Sequence, residues 1–131
     1  MKIDRAMRVA VGVLLIAISA AAAAHGTVED CKLLINKLIT NTRSVAIHGR
    51  NVKKDRAELI ANLEVALTDL DTVKPCTAVQ KLNDFKIKVN QLIAAKRINT
   101  DENAGTTSKD LIDDADAAIK CIDTESAGCG T

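Results

Sequence analysis

The stretch VKPCTAVQKLNDFKIKVNQLI, residues 73–93, holds the only proline of the chain, Pro75, and its only aromatic residue, Phe85. Ala78, Leu82, Phe85, Val89 and Leu92 recur at spacings of three and four, with Ile93 alongside. That is the period of a helix with one buried face. Pro75 and Cys76 mark a turn before it, and Thr77 with Gln80 three residues on reads as a helix-capping pair. Phe85 falls inside the apolar stripe, so it reads as a plug in a core rather than an exposed ring. Aromatic content is 1%, so the core has to be built from Leu, Ile, Val and Ala. A core of that kind favours helices over sheets, because strands draw on aromatic and β-branched residues.

Working outward, the preceding helix carries Leu59, Ile60, Leu63, Ala66, Leu67 and Leu70 on one face. Asp55 with Glu58 reads as its capping pair, and Pro75 as its stop. An earlier helix is expected to begin at Thr27, where TVED resembles a capping box. Its stripe is Cys31, Leu34, Ile35, Leu38, Val45 and Ala46, interrupted by Thr42, and Gly49 is expected to end it as a left-handed cap. A last helix is expected to start at Thr107 or Ser108, with Leu111, Ile112, Ala115, Ala118, Ile119 and Ile122 buried. The fold class that follows is all-α, an antiparallel four-helix bundle over residues 25–123, followed by a polar tail, 124–131, that carries Cys129.

Residues 1–24 read differently. A basic start with Lys2, Arg5 and Arg8 precedes an apolar run that ends in alanines, the layout of a secretory signal peptide cleaved after Ala24. Its removal would leave 15 basic residues (18 less 3) and 16 acidic ones (17 less 1), a net charge of −1. A near-neutral domain has no electrostatic case for binding nucleic acid and little for an anionic membrane. No membrane insertion is expected after cleavage. All four cysteines, Cys31, Cys76, Cys121 and Cys129, follow the signal segment, and an even number in an exported chain reads as two disulfides. No close Cys pair suggests zinc. In an up-down-up-down bundle Cys31, Cys76 and Cys121 fall at one end, and Cys129 can return to it. The pairing stays open among three possibilities. The opposite end, with HGRNVKKD and RINTDENAGTTS, carries no cysteine and is expected to be unclamped and the more mobile.

Candidate sites are few. After cleavage, His25 would offer an amine and an imidazole to Cu(II), but His48 lies at the far end of a helix about 30 Å long, so the two do not share an ion. Loop 99–110 resembles a calcium-binding loop, with Asn99, Asp101 and Asn103 at alternating positions and Asp110 closing it. The first ligand is Asn rather than Asp, Ala104 stands where the turn glycine belongs, and the last acid is Asp rather than Glu. The reading is therefore a polar loop and a helix cap, with no metal and no cofactor. Asp110, Asp113, Asp114 and Asp116 read as a solvated helix face, and KKDR (53–56) and AAKR (94–97) as charged helix ends. No G-x-S-x-G, H-E-x-x-H or P-loop occurs, which points away from an enzyme.

Three strings in this pattern together resemble the FIMAH domain, a small helical module of secreted and surface bacterial proteins. They are Leu59, Leu63, Ala66 and Leu70; Ala78, Leu82, Phe85 and Val89; and Leu111, Ile112 and Ala115. The most telling is the second, A-x-x-x-L-x-x-F-x-x-x-V. The resemblance spans about residues 32–122, and the cysteines are not part of its pattern. It implies a helical fold and an accessory, non-catalytic role, and it brings no catalytic residues. The functional expectation is an exported binding module for a protein partner; the alternative is a periplasmic bundle that binds a metal or a small ligand. Without Trp or Tyr to stack on a sugar ring, carbohydrate is not expected as a partner.

Overall fold

The computed structural model describes residues 28–126. Within them lie four α-helices: α1 (Val28–Ser44), α2 (Val52–Asp71), α3 (Pro75–Ala94) and α4 (Ser108–Ser126), with a short 3-10 turn at Glu102–Ala104. Each helix packs on its neighbours in sequence and α4 closes back on α1, while the backbones of the diagonal pairs stay more than 8 Å apart. This is an antiparallel four-helix bundle. The signal segment, Thr27 and Cys129 lie outside the described residues.

The apolar stripes meet as their spacing requires. Ile35 and Leu38 from α1, Leu59 and Leu63 from α2, Leu82, Phe85 and Leu92 from α3, and Leu111 and Ile122 from α4 are all buried to within 2%. Phe85 has no exposed surface and is the largest of these side chains. The one ring thus fills volume that aliphatic side chains would leave as a void, which is costly in a close-packed interior. Thr42, which interrupts the α1 stripe, is also buried; its hydroxyl donates to the Leu38 carbonyl at 2.7 Å, so that hydroxyl is not left unpaired. Cys31 and Cys121 form a disulfide with a Cα–Cα distance of 5.6 Å, joining the start of α1 to the last turns of α4. Cys76 is also in disulfide form.

Several boundaries differ from the sequence reading, each for a local reason. α1 stops at Ser44, not Gly49: Val45 still donates its N–H to the Asn41 carbonyl at 3.0 Å but sits in a bend, and Ile47 beyond it pairs with Ile98 in an isolated bridge. Gly49 does adopt positive φ, +112°, but beyond the helix. α2 starts at Val52, so Asp55 sits inside it and caps nothing. α3 starts at Pro75, where a missing N–H costs nothing, and Thr77 lies within the first turn instead of capping it. α4 continues to Ser126, three residues into the segment read as tail.

The ends of α2 and α3 share one motif. Val73 N–H donates to the Leu70 carbonyl and Lys74 N–H to that of Asp69; likewise Lys96 N–H donates to Ile93 and Arg97 N–H to Leu92. Both are Schellman caps, whose pivotal position is usually glycine. Here Val73 and Lys96 fill it at φ of 58° and 56°. A residue with a Cβ costs roughly 1–2 kcal/mol in that conformation, and with Val and Lys in place of glycine neither end is marked in the sequence.

Candidate functional site

The end of the bundle opposite the Cys31–Cys121 link is formed by two connections, residues 45–51 between α1 and α2, and 95–107 between α3 and α4. The sequence gives them no clamp, yet they are tied together by backbone. Ile47 and Ile98 make an isolated antiparallel bridge. His48 N–H donates to the Arg97 carbonyl at 2.7 Å and Asn99 N–H to that of Ala46 at 2.9 Å. Ile47 and Ile98 are buried, so the bridge also closes the core from below. The expectation of an unclamped end is therefore corrected.

Side chains reinforce the bridge. Arg97 Nε donates to the His48 carbonyl at 2.9 Å, and its Nη2 pairs with Asp55 Oδ2. The other Asp55 oxygen meets Lys88 Nζ at 3.1 Å, and Lys88 also reaches Glu58 at 2.9 Å. One carboxylate on α2 thus holds α3 and the α3–α4 connection. Burial of Asp55 pushes its carboxyl up, but hydrogen bonds from Lys88 and Arg97, with their charges, outweigh this and hold it below the ordinary carboxylate value. Glu58, then Asp55, hold the Lys88 ammonium above its ordinary value. Gly49 has a steric role here: a Cβ at that position would sit 2.4 Å from Arg97 Nε.

Arg56 closes the same end from the other side. Its Nη1 donates to the carbonyls of Thr42 at 2.7 Å, Val45 at 2.8 Å and Arg43 at 3.2 Å. Those carbonyls belong to the last turn of α1 and the residue beyond it, where acceptors lack helical partners and a cation meets the negative end of the helix dipole. KKDR and AAKR are therefore not ordinary charged helix ends, since Asp55, Arg56 and Arg97 build the clasp. No local signal announces it, because Asp55 and Arg97 lie 42 residues apart.

Loop 99–110 spends its side chains on itself. Asn99 Nδ2 donates to the Asp101 and Thr106 carbonyls at 3.1 and 2.8 Å, and its Oδ1 accepts from Asp101 N–H at 3.0 Å. Asp101 accepts from Asn103 N–H at 2.9 Å. Thr107 and Asp110 form a reciprocal capping box for α4: Asp110 Oδ2 accepts from Thr107 N–H and Thr107 Oγ1 from Asp110 N–H. These bonds hold the Asp110 carboxyl below its ordinary value. A cation at this loop would have to displace those contacts. Among the described residues no three His, Cys, Asp or Glu side chains are grouped to hold a metal ion. His25 lies outside them. The acids of α4 go to separate partners: Asp113 to Lys109, Asp114 to Asn41 and Lys37, Asp116 to Lys86.

On the clasp sits a shallow recess lined by His48, Ile93, Lys96, Ile98, Asn99 and Thr100. His48, Lys96 and Thr100 are exposed at its edge. It is partly apolar at the base and has basic groups on its rim. No family model, curated protein or solved structure matches this chain. Its chemistry therefore has to be read from these residues alone.

Proposed function

We propose that this protein is an exported, non-catalytic helical accessory module that binds a protein partner through the recess on the clasped end. The observation that carries the reading is that this recess lies on a fixed backbone. The Ile47–Ile98 bridge, the Schellman turn at Lys96 and the Arg97–Asp55 pair all converge beneath it. A surface already held in one conformation loses little entropy on binding. Lys96 and His48 at the rim with Ile93 and Ile98 in the base suit an acidic segment that carries one apolar side chain. The resemblance of the three helical strings to the FIMAH module supports an accessory role.

Export rests on the N-terminal layout and on the Cys31–Cys121 bond, a linkage that persists in oxidising compartments. Among the described residues no helix is long and apolar enough to cross a membrane. Site-specific photocrosslinking tests the reading. A crosslinker at Thr100, on the recess, is expected to capture one stoichiometric partner from the native envelope or medium, and K96E is expected to abolish capture. A crosslinker at Leu33, an exposed side chain in the middle of α1, should not capture it. Equal capture from both positions, or from neither, would contradict the proposal. Calorimetric titration of the processed protein with Ca(II) and Cu(II) separates it from the metal-binding alternative, which requires saturable heat from one of them.

A further inference from the structure

The stapled end holds a second depression, between the start of α1, the α2–α3 turn and the last turn of α4. Its charge is opposite to that of the recess on the clasped end. Glu29, Asp71 and Glu125 line it with one cation, Lys32, which pairs with Glu29 at 3.0 Å and with Asp71. Three carboxylates less one ammonium leave two negative charges there. The recess has Lys96 and His48 on its rim and no acid in its lining. Neither Lys74, exposed beside Val73, nor Asp101, exposed beside Thr100, lines the depression at its end.

One side chain stands out from the acidic end. Val73 is 83% exposed, the most of any large hydrophobic among the described residues. It fills the left-handed position of its Schellman turn at φ 58°, where glycine would sit without strain and a β-branched residue does not. A strained position that keeps an apolar side chain in water points to a use for that side chain. Asp71, Thr72 and Val73 thus form an acidic segment with one apolar side chain, which is the chemistry that suits the recess.

We propose that the partner of the recess is a second copy of this chain, whose α2–α3 turn seats Val73 on Ile93 and Ile98 while Asp71 meets Lys96. The inference rests on the recess being a binding surface and names its occupant. The two surfaces lie at opposite ends of a bundle whose α3 has 20 residues, a length of about 30 Å, so they do not meet within one molecule. The contact is therefore heterologous. Copies join head to tail, and the rotation between them decides whether they close into a ring or run on as an open row. Both surfaces are small, which makes each contact weak and reversible.

Sedimentation equilibrium of the oxidised, processed protein, taken up to about 1 mM so that weak contacts show, tests this. The mean mass is expected to rise with concentration. V73N, whose asparagine accepts the left-handed position, and K96E should each weaken association about tenfold or more, the former because it removes the buried apolar side chain. V73G takes its place should V73N misfold. The mixture decides the geometry. V73N keeps its recess and K96E keeps its turn, so together they should form a 1:1 pair although neither associates alone. A mixture that stays monomeric, as a symmetrical contact between like surfaces requires, would overturn the proposal, and so would a wild type that is monomeric throughout the range. If the crosslinker at Thr100 captures a different protein while the purified chain stays monomeric, this inference fails and the recess remains a binding surface. If it captures nothing, both fail.

Discussion

At the end where α1 begins and α4 finishes, Cys31 and Cys121 close the bundle with one covalent bond across 90 residues of chain. At the opposite end two connections are closed by a backbone bridge, by Arg97 on Asp55 and by Arg56 on the last carbonyls of α1. The first device acts mainly on the unfolded chain, whose entropy it lowers. The second acts in the folded state, where each member is worth what its desolvated partners would lose without it. The disulfide is therefore indifferent to pH in the range where carboxylates titrate, and the Asp55 clasp is not. A bundle clamped by both can lose either while retaining the other, so the two can be tested separately.

The largest expected effect is on the covalent side. C31S/C121S should lose about 4 kcal/mol of unfolding free energy, in keeping with a cross-link that closes a loop of this length. Urea denaturation should show the loss to be the same at pH 4.5 and pH 7. Next comes D55A. Leaving Arg97 and Lys88 without their shared carboxylate should cost about 3 kcal/mol, the low end for breaking a buried pair, because Arg97 keeps 30% of its side chain exposed. The same denaturation series measures it, and a loss under about 1 kcal/mol, the worth of a surface pair, would reduce the clasp to a surface contact.

Acid should discriminate between the two ends. Asp55 has a folded value below its ordinary 3.8, so its contribution is fully present above that value and is lost as pH falls through the lower one. Lys88 is raised above its ordinary 10.5, so its contribution is present below that value and is lost as pH rises past it. Stability of the wild type should therefore fall below about pH 3.8. In D55N the acid limb should be shallower, whereas in C31S/C121S it should keep the wild-type slope. The smallest effect has the opposite sign. Glycine at the two left-handed positions should stabilise, V73G by about 1 kcal/mol and K96G by less, since the β-branched side chain is the more strained there. Thermal unfolding of the two variants gives the comparison.

The four helices and their core were legible because burial repeats along the chain. Leu59, Leu63, Ala66 and Leu70, or Ala78, Leu82, Phe85 and Val89, are spaced as one face of a helix must be. Cysteine placement was legible for a similar reason, since helix ends alternate in a bundle of antiparallel neighbours. The helix termini were less so. Val45 keeps the period of α1 because its N–H still reaches back to Asn41, and the bend that ends the helix there carries no glycine or proline to mark it. Neither Schellman turn has the glycine that would mark it. The clasp was not legible at all. Asp55 near a helix start looks like a dipole-favoured acid, and Arg97 after a helix looks like a dipole-favoured base; that they meet depends on how two connections cross at one end. The oxygens of loop 99–110 were placed correctly as a turn and a cap, yet their spacing alone could not distinguish a metal ligand from an acceptor for its own backbone.

Native-state hydrogen exchange at the amides of His48 and Asn99 tests the central claim most directly. These two N–H groups donate across the clasp, to Arg97 and Ala46. In the wild type they should be protected like amides within α2 and α3, and in D55N they should lose protection while the helix amides keep theirs. Exchange of both at the rate of an open peptide in the wild type would contradict the account and return that end to an unclamped pair of loops.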